Sequence, residues 1–153
     1  MWDYYIAFTF DEQTNERINK LKLILQNKVK NEIKPWPPHI TIDLYKGISL
    51  AEVTNITKQI AEEIESFSVT FSNLNDFDGK VLYLEPKNNA DLRAIKQQFD
   101  LLLNQYRIPE NIRPSYNPHA TLCISDSITT AKNLILQDFK PFTGGDHKDC
   151  HIF

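Results

Sequence analysis

The pattern of Pro38-His39-Ile40-Thr41-Ile42 is written twice in this chain. Pro118-His119-Ala120-Thr121-Leu122 repeats its pattern, Pro-His-apolar-Thr-apolar, and the two histidines stand 80 residues apart. In an extended strand, side chains at i and i+2 share one face. Each motif therefore sets an imidazole beside a hydroxyl on one face and turns apolar residues to the other. Two such strands brought to one cleft would gather His39, Thr41, His119 and Thr121 around a single small anion.

Working outward, the elements around the two motifs come in the same order. Trp2 to Phe10 is aromatic and β-branched and reads as a strand. Asp11 is placed to cap a helix whose apolar side is Ile18, Leu21, Leu25 and Val29, running to about Lys30. Pro35, Pro37 and Pro38 end it and feed the first motif strand, His39 to Tyr45. Lys46-Gly47 is a turn, and Ser49 with Glu52 is a capping-box pattern for a helix striped by Val53, Ile56, Ile60 and Ile64. Phe67 to Phe71 alternates as a strand. An Asp-Gly turn within Asp76 to Lys80 joins a further strand, Val81 to Glu85, as a hairpin-like pair.

The order then restarts. Asn88 or Asn89 opens a helix with Leu92, Ile95, Phe99 and Leu102 or Leu103 inward. A linker through Pro109 and Pro114 leads to the second motif strand, about Asn117 to Ile124. Ser127 opens a short helix, Phe139 to Phe142 is a short strand, Gly144-Gly145 a turn, and Cys150 to Phe153 an edge strand. The expected organisation is one domain over 1–153, a degenerate duplication with halves of roughly 1–75 and 78–153. Its class is α+β with a pseudo-two-fold arrangement.

Bulk properties narrow the function. Hydrophobic content of 41% and aromatic content of 11% suit a folded globular chain. A net charge of −3 and a pI of about 5.8 argue against an extended nucleic-acid face, though not against a phosphate ester in a local pocket. Two cysteines, Cys123 and Cys150, do not make a disulfide framework. The first residues lack the pattern of a signal peptide, and no apolar run approaches the ~18 residues of a membrane span. A cytoplasmic monomer with no membrane partner is expected.

With its two proline-preceded His-x-Thr motifs in matching half-repeats, the sequence resembles the 2H phosphoesterase superfamily, which includes 2′-5′ RNA ligase-like proteins and cyclic nucleotide phosphodiesterases. One His-x-Thr alone carries no information; two in equivalent positions do. The resemblance covers nearly the whole chain. It implies a bilobal α+β fold in which two antiparallel sheets flank a central cleft, with helices outside. It implies that His39, Thr41, His119 and Thr121 are catalytic. The implied substrate is a small nucleotide or RNA-end phosphodiester with a 2′ oxygen, either a 2′,3′-cyclic phosphate or a 2′-5′ linkage, as in RNA processing. The segment after Gly144-Gly145 is short for the family, which bears on one lobe's edge.

The residue types suit that chemistry. Phosphodiester cleavage needs a base for the nucleophile and an acid for the leaving oxygen, and histidine serves as either near neutrality. Threonine hydroxyls can donate to phosphate oxygens as charge develops. The arrangement needs no metal and no cofactor. Two other functions fit the same four side chains: a phosphate- or nucleotide-binding module without turnover, and a 2′-5′ RNA ligase.

Other residues have competing readings. Trp36 and Tyr116 each stand three residues before a motif histidine, as walls for a base or as packing at a strand entry. Tyr45, with Lys46 beside it, and Arg113 are further substrate-binding candidates. Arg113 has the fork for a bidentate phosphate contact, and the alternative is a solvated loop residue. The run His147-x-x-Cys150-His151 has no second ligand pair, so a terminal strand is expected there and no zinc. Strict alternation sets Cys123 on the His119 face, as a small wall or core residue.

Overall fold

The computed structural model describes residues 1–28, 36–65, 67–87, 89–144 and the backbone of 150–152. Two antiparallel sheets hold the strands β1 (Tyr4–Thr9), β2 (His39–Tyr45), β3 (Val69–Phe77), β4 (Val81–Pro86), β5 (Ala120–Ile124), β6 (Phe142–Gly144) and β7 (Cys150–Ile152). The first sheet has the order β2-β1-β7 and the second β5-β4-β3-β6. The motif strands β2 and β5 are thus edge strands of separate sheets, and they lie against each other. The α+β class and the two-sheet cleft expected from the sequence are both present.

The halves exchange strands. β3 follows the first motif in sequence, yet it pairs with β4 in the second sheet. β7, the last element, pairs back with β1 in the first. The helices cross in the same sense. α1 (Glu12–Lys28) and α4 (Ile128–Ile135) pack on each other and on the second sheet. α2 (Leu50–Glu63) and α3 (Ala90–Leu103) pack on each other and on the first.

Local chemistry explains the element ends. Asp11 caps α1 through its Oδ1, which accepts the Thr14 amide at 2.8 Å. Ser49 caps α2, its Oγ accepting the Glu52 amide at 3.2 Å. Asn89 occupies the N-cap of α3 without a side-chain capping bond. The β3–β4 hairpin turns through Asp78 and Gly79, both at positive φ (51° and 66°), a geometry that glycine adopts without strain.

One cluster of buried side chains runs through the fold, with Ile6, Phe8, Ile18, Leu25 and Ile40 meeting Phe71, Leu82, Leu84, Leu92 and Phe99. Burying each such side chain contributes about 1.5–3 kcal/mol. Among the described residues, no helix is long and apolar enough to cross a membrane.

Some expectations need revision. β3 runs on to Phe77, past the end read from alternation. Gly144 belongs to β6, where it pairs with Val69, and is not a turn residue. The final strand is present as the edge beside β1, so the short C-terminal segment still completes the first sheet. Val29, Lys30, Pro35, Asn88, Gly145, His147 and the side chains of Cys150 and His151 lie outside the described residues.

Both motif strands carry a β-bulge at the same place. Ala7 pairs with Thr41 and Ile6 with Asp43, so Ile42 is the extra residue. Tyr83 pairs with Thr121 and Leu82 with Cys123, so Leu122 is the extra residue. A bulge reverses the facing of every residue beyond it. Asp43 and Cys123 are accordingly buried, and alternation counted through the threonines misplaces both.

Candidate active site

Before each bulge the alternation holds. His39 and Thr41 are half-buried, while Ile40 and Ile42 are in the core. His119 and Thr121 repeat that pattern against Ala120 and Leu122. The two pairs come from edge strands in mutual contact, and His39 senses the charge of His119.

Each ring is held in the same way. His39 Nδ1 donates to the Pro37 carbonyl at 2.8 Å, and His119 Nδ1 to the Asn117 carbonyl at 2.9 Å. A carbonyl oxygen only accepts, so Nδ1 carries the proton in both rings and Nε2 is the basic nitrogen of each neutral form. The carbonyl two residues upstream thus sets the tautomer in both motifs.

Aromatic rings flank both histidines. Tyr5 lies 5.6 Å from His39 and 5.8 Å from Trp36, with Trp36 6.4 Å from His39. Phe77 meets His119 edge-on at 4.8 Å, Tyr83 lies 5.2 Å from it, and Phe77 stacks on Tyr83 at 4.2 Å. This apolar shielding has an electrostatic effect. Burial pushes His39 below the ordinary histidine range against the opposing Pro37 bond, and the charges of Lys22 and His119 push it down further. Burial also lowers His119, against its bond to Asn117. The His119 charge reaches His39 across the contact of the two strands.

The remaining candidates separate. Trp36 is 42% exposed and lies beside His39. Tyr116 spends its hydroxyl on the Thr41 carbonyl, at 2.7 Å. Arg113 is exposed and bonds the Glu110 carbonyl at 2.7 Å. Tyr45 is fully buried, so a ligand in the cleft cannot reach its ring, and its hydroxyl has no hydrogen-bond partner among the described residues.

Sequence reasoning passed over several residues. Lys22 sits on α1, donates to the Trp36 carbonyl at 3.2 Å and puts a positive charge near His39. Its one signal was a lysine at the margin of an apolar helical stripe. Tyr5 and Tyr83 read as ordinary strand aromatics, and Phe77 fell in the segment read as a turn. Asp43 is 3% exposed and anchors a buried charge cluster. It meets Arg107 Nε at 2.7 Å, Lys96 Nζ at 3.0 Å and Asn111 Nδ2 at 3.1 Å, and Lys96 also pairs with Asp100. A lone acid in an apolar strand and a lysine inside the Leu92-Ile95-Phe99 stripe were the signals for it.

No group of three or more His, Cys, Asp or Glu side chains with metal-binding geometry occurs among the described residues. An open depression of about 590 Å³ is lined by Gln97, Asp100, Leu101, Asn104 and Arg107 and contains none of the four motif residues.

Two sheets that each present a His-x-Thr edge strand to a shared cleft define a 2H-type phosphoesterase architecture. The chain belongs to the 2′-5′ RNA ligase superfamily, whose family model matches residues 10–143. Its fold is similar to that of a solved phosphoesterase, with a TM-score of 0.61 at 14% identity over 83% of this chain and 74% of that one. It is also similar to Escherichia coli LigT complexed with 3′-AMP, with a TM-score of 0.56 at 13% identity over 82% of this chain and 73% of that one. LigT complexed with NADP+ gives 0.55 at 13% identity over 83% and 73%. Comparison with curated proteins gives no match.

Proposed function

We propose that the chain is a metal-independent phosphodiesterase acting on small RNA-type phosphodiesters, a 2′,3′-cyclic phosphate or a 2′-5′ linkage. The observation that carries this reading is the paired geometry: two imidazoles with the same tautomer, each with its hydroxyl neighbour, on touching strands. One imidazole takes a proton from the attacking water. Its oxygen bonds to phosphorus, and the other imidazole gives a proton to the departing sugar oxygen as the P–O bond breaks. Thr41 and Thr121 donate to the non-bridging oxygens. His39 is the base in this scheme, because Lys22 adds to the repulsion that keeps it neutral. His119 is the acid.

Trp36, at the mouth of the His39 side, supplies a face on which a base can stack. The similarly folded LigT has been crystallised with 3′-AMP and with ATP, both small nucleotides.

A panel of 2′,3′-cyclic nucleotides and 2′-5′ dinucleotides, assayed with a chelator present, tests the proposal. Turnover undiminished by chelator is expected, with products of one regiochemistry. Tight AMP or CMP binding without turnover would make the chain a binding module, and joining of 2′-5′ ends would make it a ligase.

The pH dependence follows from the two depressed histidines. The base must be neutral and the acid protonated, so kcat/KM is bell-shaped with a crest between the two apparent values. Both lie below the ordinary 6.5. The crest is therefore expected below pH 6.5, with activity falling as rising pH strips the acid. A bound phosphate anion favours the protonated rings, so the kcat profile should sit at higher pH than that of kcat/KM. Rates measured across about pH 4.5–8.5 check this. A kcat/KM crest on the alkaline side of neutrality would contradict it.

A further inference from the structure

The free edge of β2 is covered by the segment that leads from α3 to the second motif. The Tyr106 carbonyl accepts the Lys46 amide at 2.9 Å, and Arg107 bridges to Tyr45. Arg107 and Asn111 both bond Asp43. Tyr116 then donates its hydroxyl to the Thr41 carbonyl at 2.7 Å, with the Lys96 ammonium 5.9 Å from its ring centre. Three residues further on comes His119. The stretch that delivers the second histidine is therefore bonded to the backbone of the first motif, at the residue just before the Ile42 bulge. At the equivalent position before the first motif, Trp36 packs against Tyr5 and His39.

We propose that Tyr116 is a positioning residue whose bond to the Thr41 carbonyl sets the separation of the two motifs across the cleft. The proposal rests on the phosphodiesterase reading, and it assigns Tyr116 to the protein's own backbone instead of to substrate. Tyr116→Phe keeps the ring and removes only the donor. It is expected to lower kcat by about two- to tenfold, the worth of one neutral hydrogen bond, with little change in KM.

A readout independent of turnover is the mutual titration of the histidines by NMR. His39 faces Lys22, His119 and the rings of Tyr5 and Trp36, and His119 faces Phe77 and Tyr83. His119→Gln should raise the His39 midpoint by removing a like charge. That rise should shrink in a Tyr116→Phe background, where the motifs are no longer held together. Asn111→Ala loosens the same segment without touching Thr41 and should act in the same direction, which keeps the test available if Tyr116→Phe folds poorly. A rise in KM alone would make Tyr116 a substrate contact and overturn the proposal. So would an unchanged mutual shift with unchanged kcat. If the wild-type protein turns nothing over, the phosphodiesterase reading fails, and the NMR comparison alone judges the strap.

Discussion

His119→Ala is expected to lower turnover of a diester with a sugar-alcohol leaving group by about 10²–10⁴-fold, the usual worth of one general acid. The proposed division of labour sharpens this. A nitrophenyl leaving group departs without a proton, so the His119→Ala loss should shrink to a small factor on a nitrophenyl phosphodiester. His39→Ala removes the base and should lose comparable activity on both substrates. Measuring both variants on both substrates checks the assignment. The opposite pattern would exchange the roles, and full activity in the double variant would remove the histidines from the mechanism. Both rings lie at the cleft and are half-buried, so circular dichroism and the unfolding midpoint should stay near the wild-type values.

Asp43→Ala should produce the largest loss of stability, about 3–5 kcal/mol, because it takes the shared carboxylate from buried Lys96 and half-buried Arg107 and leaves both on the more exposed Asp100. For a chain of this size that is roughly a 10 °C fall in melting temperature. Asp100→Asn should cost much less, since Asp100 is 31% exposed and Lys96 would keep Asp43. The pH sign is fixed by the direction of the Asp43 shift. Burial opposes its ionisation, but the Leu44 amide, Lys96 and Arg107 outweigh burial and hold it below the ordinary 3.8. Its contribution is therefore present above about pH 3.8 and is lost as pH falls through the depressed folded value. Urea unfolding of wild type and Asp43→Ala at pH 7, and again near pH 3, tests this. A difference under about 1 kcal/mol at neutral pH would mean that Asp100 holds both cations without Asp43.

The motif strands, their shared face and the element order were legible because period-2 and period-3.6 patterns are local properties. His39, Thr41, His119 and Thr121 could be named for that reason. The bulges were not legible. Nothing in Ile42 or Leu122 marks an inserted residue, and one insertion sends Asp43 into a buried ion cluster and Cys123 into the core. The burial of Tyr45 was hidden for a related cause: its distance along β2 was visible, but not the bridge from Arg107 that runs beside it. The aromatic flank of Tyr5, Phe77 and Tyr83 depends on which strands become neighbours, and strand exchange between the halves hides that from a linear reading.

The exchange also sets an order of assembly. The β3–β4 hairpin closes a turn of a few residues, so its ladder forms at small entropic cost. The first sheet has no such start: β1 meets β2 only across an intervening helix, and Ile6 meets Ile152 across nearly the whole chain. The hairpin and its neighbours can nucleate folding, while β7 docks last and opens first. Amide hydrogens of β7 should therefore exchange with solvent sooner than those of β4, well before the molecule as a whole unravels.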